Sequence, residues 1–196
     1  MTIIRCLSKL VIAALAVGIL GSSNTLHAMD IRKVVSDRGI VAWFVPDKSV
    51  PLVAVSFAFR NAGSATDPDG KEGLAEMTSG LLDEGAGDLK SQASQRSLEE
   101  IAAQMSFSAG RDAFMGQLRT LAAERDRAFD LLKLALNAPR FDDAPVKRIQ
   151  SQMLASLRRQ SKNPQNISGR LWSETVFPGH PYSKPSDGTE KTVATL

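Results

Sequence analysis

The segment 73–85 constrains the fold of this chain more than any other, because its pattern is that of a buried helix. Leu74, Met77 and Leu81 recur at three- and four-residue spacing and therefore share one helix face. The glycines at positions 85 and 87 provide a natural end to the helix. A helix with a buried face must pack against other elements, so the flanking segments decide the architecture.

The segments before this helix are predicted to be strands. Residues 34–45 indicate a β-hairpin with its turn at 36–39. In residues 52–59, Val53, Val55 and Phe57 alternate with small residues. Because the opposite face is hardly polar, this segment is predicted to be a central strand covered on both faces.

The segments after the helix 73–85 are predicted to be a pair of strands and a group of helices. Ser97 and Glu100 form a capping-box pattern, which predicts a short helix over 98–104. Pro145 is expected in the first turn of a helix capped by Asp142 or Asp143. Ile149, Met153 and Leu157 are expected along a buried stripe of that helix. The remaining patterns predict strands over 105–110 and 113–121 and helices over 125–137, 143–160 and 163–177.

The order of these elements favours an α+β fold, with an antiparallel sheet covered by helices, over a doubly wound fold. The sequence contains no Gly-x-Gly-x-x-Gly motif and no phosphate-binding loop, which argues against a nucleotide-binding fold. Residues 189–196 resemble the start of a helix. We therefore expect the sequence to be part of a longer chain, with residues 29–196 forming a truncated N-terminal domain.

Residues 1–28 have the pattern of a signal peptide. Arg5 and Lys9 form a positive segment, residues 10–20 are apolar or glycine, and Ala28 ends a plausible cleavage site. The apolar run is shorter than the roughly 20 residues that span a bilayer. We expect export to a bacterial periplasm and no membrane attachment after cleavage. A retained membrane anchor is the alternative.

Charge and cysteine content exclude several function classes. Residues 1–28 hold two of the 24 Lys and Arg residues and none of the 21 Asp and Glu residues, so the remaining chain is nearly neutral. Nucleic acid is therefore not an expected partner. The only cysteine, Cys6, lies in the predicted signal segment, which leaves no disulfide, thiolate metal site or cysteine nucleophile after cleavage.

Several short motifs, in order along the chain, carry a resemblance to one family. They are Asp37-Arg38-Gly39-Ile40, Phe59-Arg60-Asn61-Ala62-Gly63-Ser64, Asp67-Pro68, Gly70-Lys71-Glu72-Gly73-Leu74-Ala75, Gly179-His180-Pro181-Tyr182, Pro185 and Gly188-Thr189. Together they resemble the N-terminal domain of insulinase/pitrilysin-type zinc peptidases, which include the mitochondrial processing peptidase. The resemblance implies the metallohydrolase fold of that domain.

In that family, Gly-Leu-Ala leads into an inverted zinc motif, H-x-x-E-H, on a helix. Here Glu76 and Gly80 take the two histidine positions, and Ser79 takes the position of the general base. The resemblance places the third ligand, a glutamate, about 76 residues after the second histidine, where this chain has Ser156. We therefore expect no zinc and no catalytic residue at these four positions, which we call the motif positions.

Other metal sites are weakly indicated. His180 is the only histidine after residue 28, and its Gly-His-Pro-Tyr context favours a hydrogen-bonded turn over a metal ligand. Glu76 and Asp83 are seven residues apart on the predicted helix and could share a cation, although a solvated edge is the simpler interpretation. Glu84 and the Glu99-Glu100 pair are interpreted as helix-end charges.

The resemblance implies three candidate functions. The first is an inactive subunit that contributes substrate-binding and chamber surface to a zinc-bearing homologous partner in a heterodimer. The second is a structural or assembly protein, as in the core subunits of the cytochrome bc complex. The third is an active zinc metalloendopeptidase whose site lies outside this sequence.

The family also implies how a substrate would bind. An unfolded peptide pairs as an added strand with an edge strand beside the zinc helix. The segment that best matches this edge consists of Met105, Ser106, Phe107, Ser108, Ala109 and Gly110. An ordinary sheet strand is the alternative interpretation of the same residues.

Overall fold

The computed structural model describes residues 29–196. The predicted signal segment, residues 1–28, lies outside the described residues. The chain divides into two compact units at residue 49, so the described part of the first unit is 29–49 and the second unit is 50–196.

The first unit contains the predicted β-hairpin. Strand β1 (Arg32–Val35) pairs antiparallel with β2 (Val41–Phe44). The turn between them is closed by a hydrogen bond from the Gly39 amide to the Ser36 carbonyl at 2.9 Å. Gly39 has a φ of +81°, a conformation that glycine adopts without steric cost. The hairpin prediction is confirmed.

The second unit combines a sheet with helices. Its strands are β3 (Leu52–Arg60), β4 (Gly85–Ala86), β5 (Leu89–Lys90), β6 (Gln104–Ala109) and β7 (Ala113–Leu121). Its helices are α1 (Leu74–Ser79), α2 (Ser91–Glu100), α3 (Arg125–Asn137), α4 (Asp143–Gln160), α5 (Pro164–Val176) and α6 (Glu190–Val193), with 3₁₀ turns at Ser64–Thr66, Ala122–Glu124 and Pro181–Ser183. Among the described residues, no helix combines the length and apolar character needed to cross a membrane. The α+β prediction is confirmed.

The main sheet has the strand order β3-β7-β6, and all its pairs are antiparallel. Within residues 50–196, β3 is therefore an edge strand, and Leu52, Ala54 and Ser56 on its second face are exposed. The prediction of a central strand covered on both faces was wrong for this unit. Small apolar residues are compatible with either an exposed or a covered face, so the pattern could not distinguish them.

The core lies between one face of the sheet and helices α2 and α3. Leu118 of β7 is 2% exposed and packs with Met105 of β6, Leu98 of α2 and Leu132 of α3. Gly116 leaves room for an aromatic ring, since a Cβ at this position would lie 2.2 Å from Cζ of Phe57. This packing orients β6 with one face buried and the other open.

Two helix predictions were wrong in their bounds. The helix predicted over 73–85 ends at Ser79 and continues as hydrogen-bonded turns, with Leu74 exposed instead of buried. The helix predicted to start after Ser97 begins at Ser91. Its buried face consists of Ser94 and Leu98, so its apolar periodicity is too weak to mark the first turns.

The later helices were predicted correctly. Helix α3 has the predicted bounds, and α4 begins at Asp143 with Pro145 in its first turn. Asn163 caps α5, because its side-chain oxygen accepts a hydrogen bond of 2.9 Å from the Gln165 amide.

Candidate functional site

Helix α1 is held at its N-terminus by a buried carboxylate. Asp67 is 8% exposed, and its two oxygens accept hydrogen bonds from the amides of Gly73 at 2.9 Å and Ala75 at 3.0 Å. Burial raises the pKa of Asp67, although these hydrogen bonds act in the opposite direction. The carboxylate satisfies amides that the first helical turn leaves without intrahelical partners.

Two glycines allow the segment 187–188 to approach the start of α1. Gly73 has a φ of +97°, and a Cβ there would lie 2.9 Å from the Asp187 carbonyl oxygen. Gly188 has a φ of +79°, and a Cβ there would lie 2.3 Å from the Glu72 carbonyl oxygen. Thr192 of α6 donates a 2.8 Å hydrogen bond to the same carbonyl. We call Asp67, Gly73 and Gly188 the helix anchor.

Two of the motif positions, Ser79 and Gly80, lie against other groups of the protein. Ser79 is 7% exposed, and its hydroxyl donates to the Glu76 carbonyl at 2.8 Å. A Cβ on Gly80 would lie 3.3 Å from Cγ2 of Ile149 on α4. The isoleucine therefore occupies the space into which a side chain at position 80 would extend.

Glu76 and Ser156 lie near a polar link between α4 and the segment 185–188. Gln160 donates hydrogen bonds to the Ser156 hydroxyl at 3.3 Å and to the Asp187 carboxylate at 3.1 Å. Partial burial and the negative charge of Asp187 raise the pKa of Glu76. The two predicted positions are thus connected through residues that the prediction did not include.

The sequence did not place Ile149, Gln160 and Asp187 in the candidate site. Gln160 had a usable signal, because it lies four residues after Ser156 and therefore on the same helix face. Asp187 precedes Gly188, which belongs to the family signature, but its side-chain direction has no sequence signal. Ile149 was expected on a buried stripe of α4, and only the structure identifies Gly80 as its neighbour.

The residues present do not fit the zinc site of the resembled family. Gly80 has no side chain, Ser79 is engaged with a carbonyl, and Ser156 supplies a neutral hydroxyl, so Glu76 is the single carboxylate at the motif positions. Zinc sites need three or four N, S or carboxylate donors. Within residues 29–196, no group of three or more His, Cys, Asp or Glu side chains is placed to hold a metal ion.

The alternative carboxylate pair on α1 is not supported either. Helix α1 ends at Ser79, so Asp83 lies in the following turns and the seven-residue spacing from Glu76 no longer places both on one helix face. Burial raises the pKa of Asp83. The neighbouring Glu84 is more than a helix-end charge, because it pairs with Arg148 of α4 and accepts a 2.6 Å hydrogen bond from Ser91 of α2.

His180 forms the predicted structural turn. Its Nδ1 accepts a hydrogen bond of 3.1 Å from the Tyr182 amide. The Tyr182 hydroxyl donates to the Asp112 carboxylate at 2.6 Å, which fixes this turn to the β6–β7 connection. The turn is therefore held by hydrogen bonds and aromatic packing between His180 and Tyr182.

The predicted substrate edge coincides with β6. Within residues 50–196, β6 pairs only with β7, and α1 packs beside it. Met105 is buried, Phe107 and Ala109 are half-buried, and Ser106 and Ser108 are exposed. Gly110 lies beyond the strand, and both its backbone groups are used, by Ala113 at 2.8 Å and Ser64 at 2.9 Å.

The hydrogen bond between Gly110 and Ala113 also sets which backbone groups face outward. In an antiparallel pair, hydrogen-bonded and non-hydrogen-bonded residues alternate. Because Gly110 is hydrogen-bonded to the β7 side, the register places Ser106 and Ser108 toward β7 as well. The backbone groups of Met105, Phe107 and Ala109 therefore face the open edge.

Comparison with known structures gives the same fold. An inactive domain of peptidase M16 from Pseudomonas fluorescens superposes with a TM-score of 0.79 at 26% identity, covering 86% of this chain and 41% of that chain. A protease from Helicobacter pylori gives a TM-score of 0.73 at 18% identity, with the same coverage of both chains. Pitrilysin gives 0.69 at 22% identity, covering 86% of this chain and 18% of that chain.

Comparison of sequences agrees. A non-peptidase homologue, YmxG, from Helicobacter pylori is 24% identical over 144 residues, which is 74% of this chain and 33% of the relative. The chain thus spans about a third of the length of that curated relative. The model of the insulinase family, peptidase family M16, matches residues 47–190. Because that match covers most of the chain, the protein belongs to the insulinase (M16) peptidase family.

Proposed function

We propose that this chain is a non-catalytic member of the insulinase family that acts as a subunit of a peptidase complex. The observation that carries the proposal is the state of the motif positions, where Gly80 replaces a metal donor, Ser79 replaces the general base, and Ile149 fills the space beside Gly80. Glycine cannot bind a metal, and serine cannot replace a carboxylate as base. The name of the YmxG relative, a non-peptidase homologue, supports the same conclusion.

The subunit contributes a surface for the substrate. The open edge of β6, with outward backbone groups at Met105, Phe107 and Ala109, supports the addition of an unfolded peptide as a strand. Main-chain hydrogen bonds give such binding its affinity, so the substrate need not have a fixed sequence. A homologous partner chain with an intact H-x-x-E-H motif supplies the zinc and the chemistry.

The proposed location is a bacterial periplasm. Support comes from the pattern of residues 1–28, with Arg5 and Lys9 before an apolar segment. The absence of cysteine after residue 28 is compatible with an oxidising compartment.

Co-purification with a zinc-bearing homologue tests the proposal. The full-length protein alone should cleave no unfolded peptide, and the complex should cleave it faster than the partner alone. Cleavage by the chain alone would contradict the proposal. A partner whose rate is unchanged by this chain would also contradict it and would favour the structural or assembly alternative.

A matched pair of variants tests the role of β6. Ala109→Pro removes an outward amide at a strand edge, where proline is tolerated. It should weaken peptide binding, because one main-chain donor is lost. The control Ser108→Ala changes an exposed side chain of the same strand and leaves its amide in place. Equal binding by both variants would contradict the role of this edge.

A further inference from the structure

A small polar pocket lies between α5 and the segment 183–187, with a cavity volume of about 210 Å³. Its charged lining consists of Arg111, Arg170, Lys184 and Asp187. Ligand pockets for drug-sized molecules are larger, about 300–1,000 Å³. The volume therefore suits one side chain or chain end of a larger ligand better than a cofactor.

Arg111 is fixed in this pocket by the turn that contains His180. Its Nη1 donates to the carbonyls of Tyr182 at 3.0 Å and Lys184 at 3.3 Å, and its guanidinium carbon lies 5.4 Å from the centroid of the Tyr182 ring. A guanidinium has five N–H donors. Among residues 29–196, the donors on Nη2 and Nε of Arg111 have no hydrogen-bond partner. An ordered guanidinium with free donors binds a carboxylate with little loss of entropy.

The remaining charges leave the pocket positive. Among the described residues, neither Arg111 nor Arg170 forms an ion pair. Lys184 pairs with Asp69. The Asp187 carboxylate accepts hydrogen bonds from Gln160 at 3.1 Å and from the Ser186 hydroxyl at 2.8 Å, which partly satisfy it. The amides of Gln165 and Asn166 on α5 add neutral donors.

The pocket is lined by Arg111, which follows Gly110 directly and lies two residues beyond Ala109, the last residue of β6. We propose that this pocket binds the carboxylate of an acidic residue in a peptide that pairs with β6. The inference rests on the proposed function, which it deepens by naming acidic peptides as the preferred ligand class.

Fluorescence anisotropy with the full-length protein tests this inference. The probes are labelled decapeptides with alternating Ser and Val, amidated at the C-terminus, that carry either two Glu or two Gln residues. The Glu peptide should bind about tenfold more tightly, the factor that corresponds to one charge-assisted hydrogen-bond pair. A third probe, the Gln peptide with a free C-terminus, distinguishes a terminal carboxylate from a side-chain carboxylate.

Charge reversal at an exposed position provides the matched variants. Arg170→Glu should abolish the preference for the Glu peptide over the amidated Gln peptide. Arg96→Glu, on the exposed face of α2 and outside the pocket, should retain the preference. Unchanged circular dichroism melting of both variants shows that the fold is intact.

The outcomes separate the inference from the proposed function. Equal binding of all three probes would overturn the inference and leave peptide binding standing. The inference would also fall if Arg96→Glu lost the preference as fully as Arg170→Glu, because the effect would then follow net charge. A preference for the free C-terminus over the Glu side chain would overturn the assignment to an acidic residue. Failure of every probe to bind would overturn both proposals.

Discussion

The helix anchor and the motif positions at residues 76, 79 and 80 both involve α1 but differ in how their side chains are used. In the anchor, the Asp67 carboxylate and the close approach of Gly73 and Gly188 fix α1 through buried contacts. At the motif positions, Ser79 bonds to its own helix, Gly80 faces Ile149, and Glu76 is exposed. The anchor supports a helix in a defined place, and the motif positions supply on it one carboxylate, which is too few donors for zinc.

This difference shows that the packing of the helix and the chemistry of its side chains depend on different residues. Each contact of the anchor involves backbone groups of residues 72–75, so it is independent of the side chains at positions 76, 79 and 80. A zinc helix and a helix without zinc can therefore share one scaffold. Variants in the anchor should change stability strongly, whereas variants at the motif positions should change it little.

The largest effect is expected from Gly188→Ala. A Cβ at this position meets the Glu72 carbonyl oxygen at 2.3 Å, and the φ of +79° adds strain. The variant should lose about 3 kcal/mol of unfolding free energy in urea denaturation. The control Gly70→Ala has a similar φ of +78° with no atom within 4 Å and should lose only about 1 kcal/mol. Equal losses would show that the contact with Glu72 does not hold α1.

A smaller loss is expected from Asp67→Ala. The substitution leaves the buried amides of Gly73 and Ala75 without acceptors, which should cost about 2 kcal/mol. Asp69→Ala, two residues on, removes an exposed partner of Lys184 and should leave the melting temperature unchanged. If both variants melted alike, the buried carboxylate would have no special role in the anchor.

The smallest effect, of opposite sign, is expected from Glu76→Gln. The folded-state pKa of Glu76 is raised, so the wild type loses stability as the pH rises from the usual glutamate pKa through the raised value. The variant should gain less than about 1 kcal/mol at neutral pH, because exposure screens the charge. This gain should shrink near pH 4, where Glu76 is protonated.

Urea denaturation at both pH values measures the effect. Glu99→Gln, at an exposed position of α2, is the control for the loss of one surface carboxylate. A loss of stability in Glu76→Gln at neutral pH would mean that the ionised carboxylate has a favourable partner. Such a partner would break the contrast between the motif positions and the anchor.

The elements that the sequence predicts well are those with strong local signals. Pro145 and the apolar stripe define α4, Asn163 defines the start of α5, and alternation defines β7. The start of helix α2 was predicted too late because its buried face includes Ser94, which carries no apolar signal. Helix α1 was predicted too long because Leu81 is buried and continues the three- and four-residue spacing of the helix. In the structure, Leu81 lies in the turns that follow the helix.

The residue types of the candidate site could be predicted from the sequence, but the contacts that these residues make could not. The identities of Glu76, Ser79, Gly80 and Ser156 are read directly from the sequence once the family resemblance is recognised. Some of the contacts that surround them join residues far apart in the sequence, such as Gly80 with Ile149. Such pairings depend on tertiary packing and have no local pattern. The pocket beside Arg111 also depends on tertiary packing, so it could not be predicted from a local pattern.

Zinc content tests the central claim most directly. The full-length protein would be purified, treated with a chelator, incubated with equimolar zinc, separated from free metal and measured by elemental analysis. Because the motif positions offer a single carboxylate and no histidine, we expect zinc far below one equivalent per chain. One tightly held zinc per chain would contradict the account of these positions as a helix without a metal site.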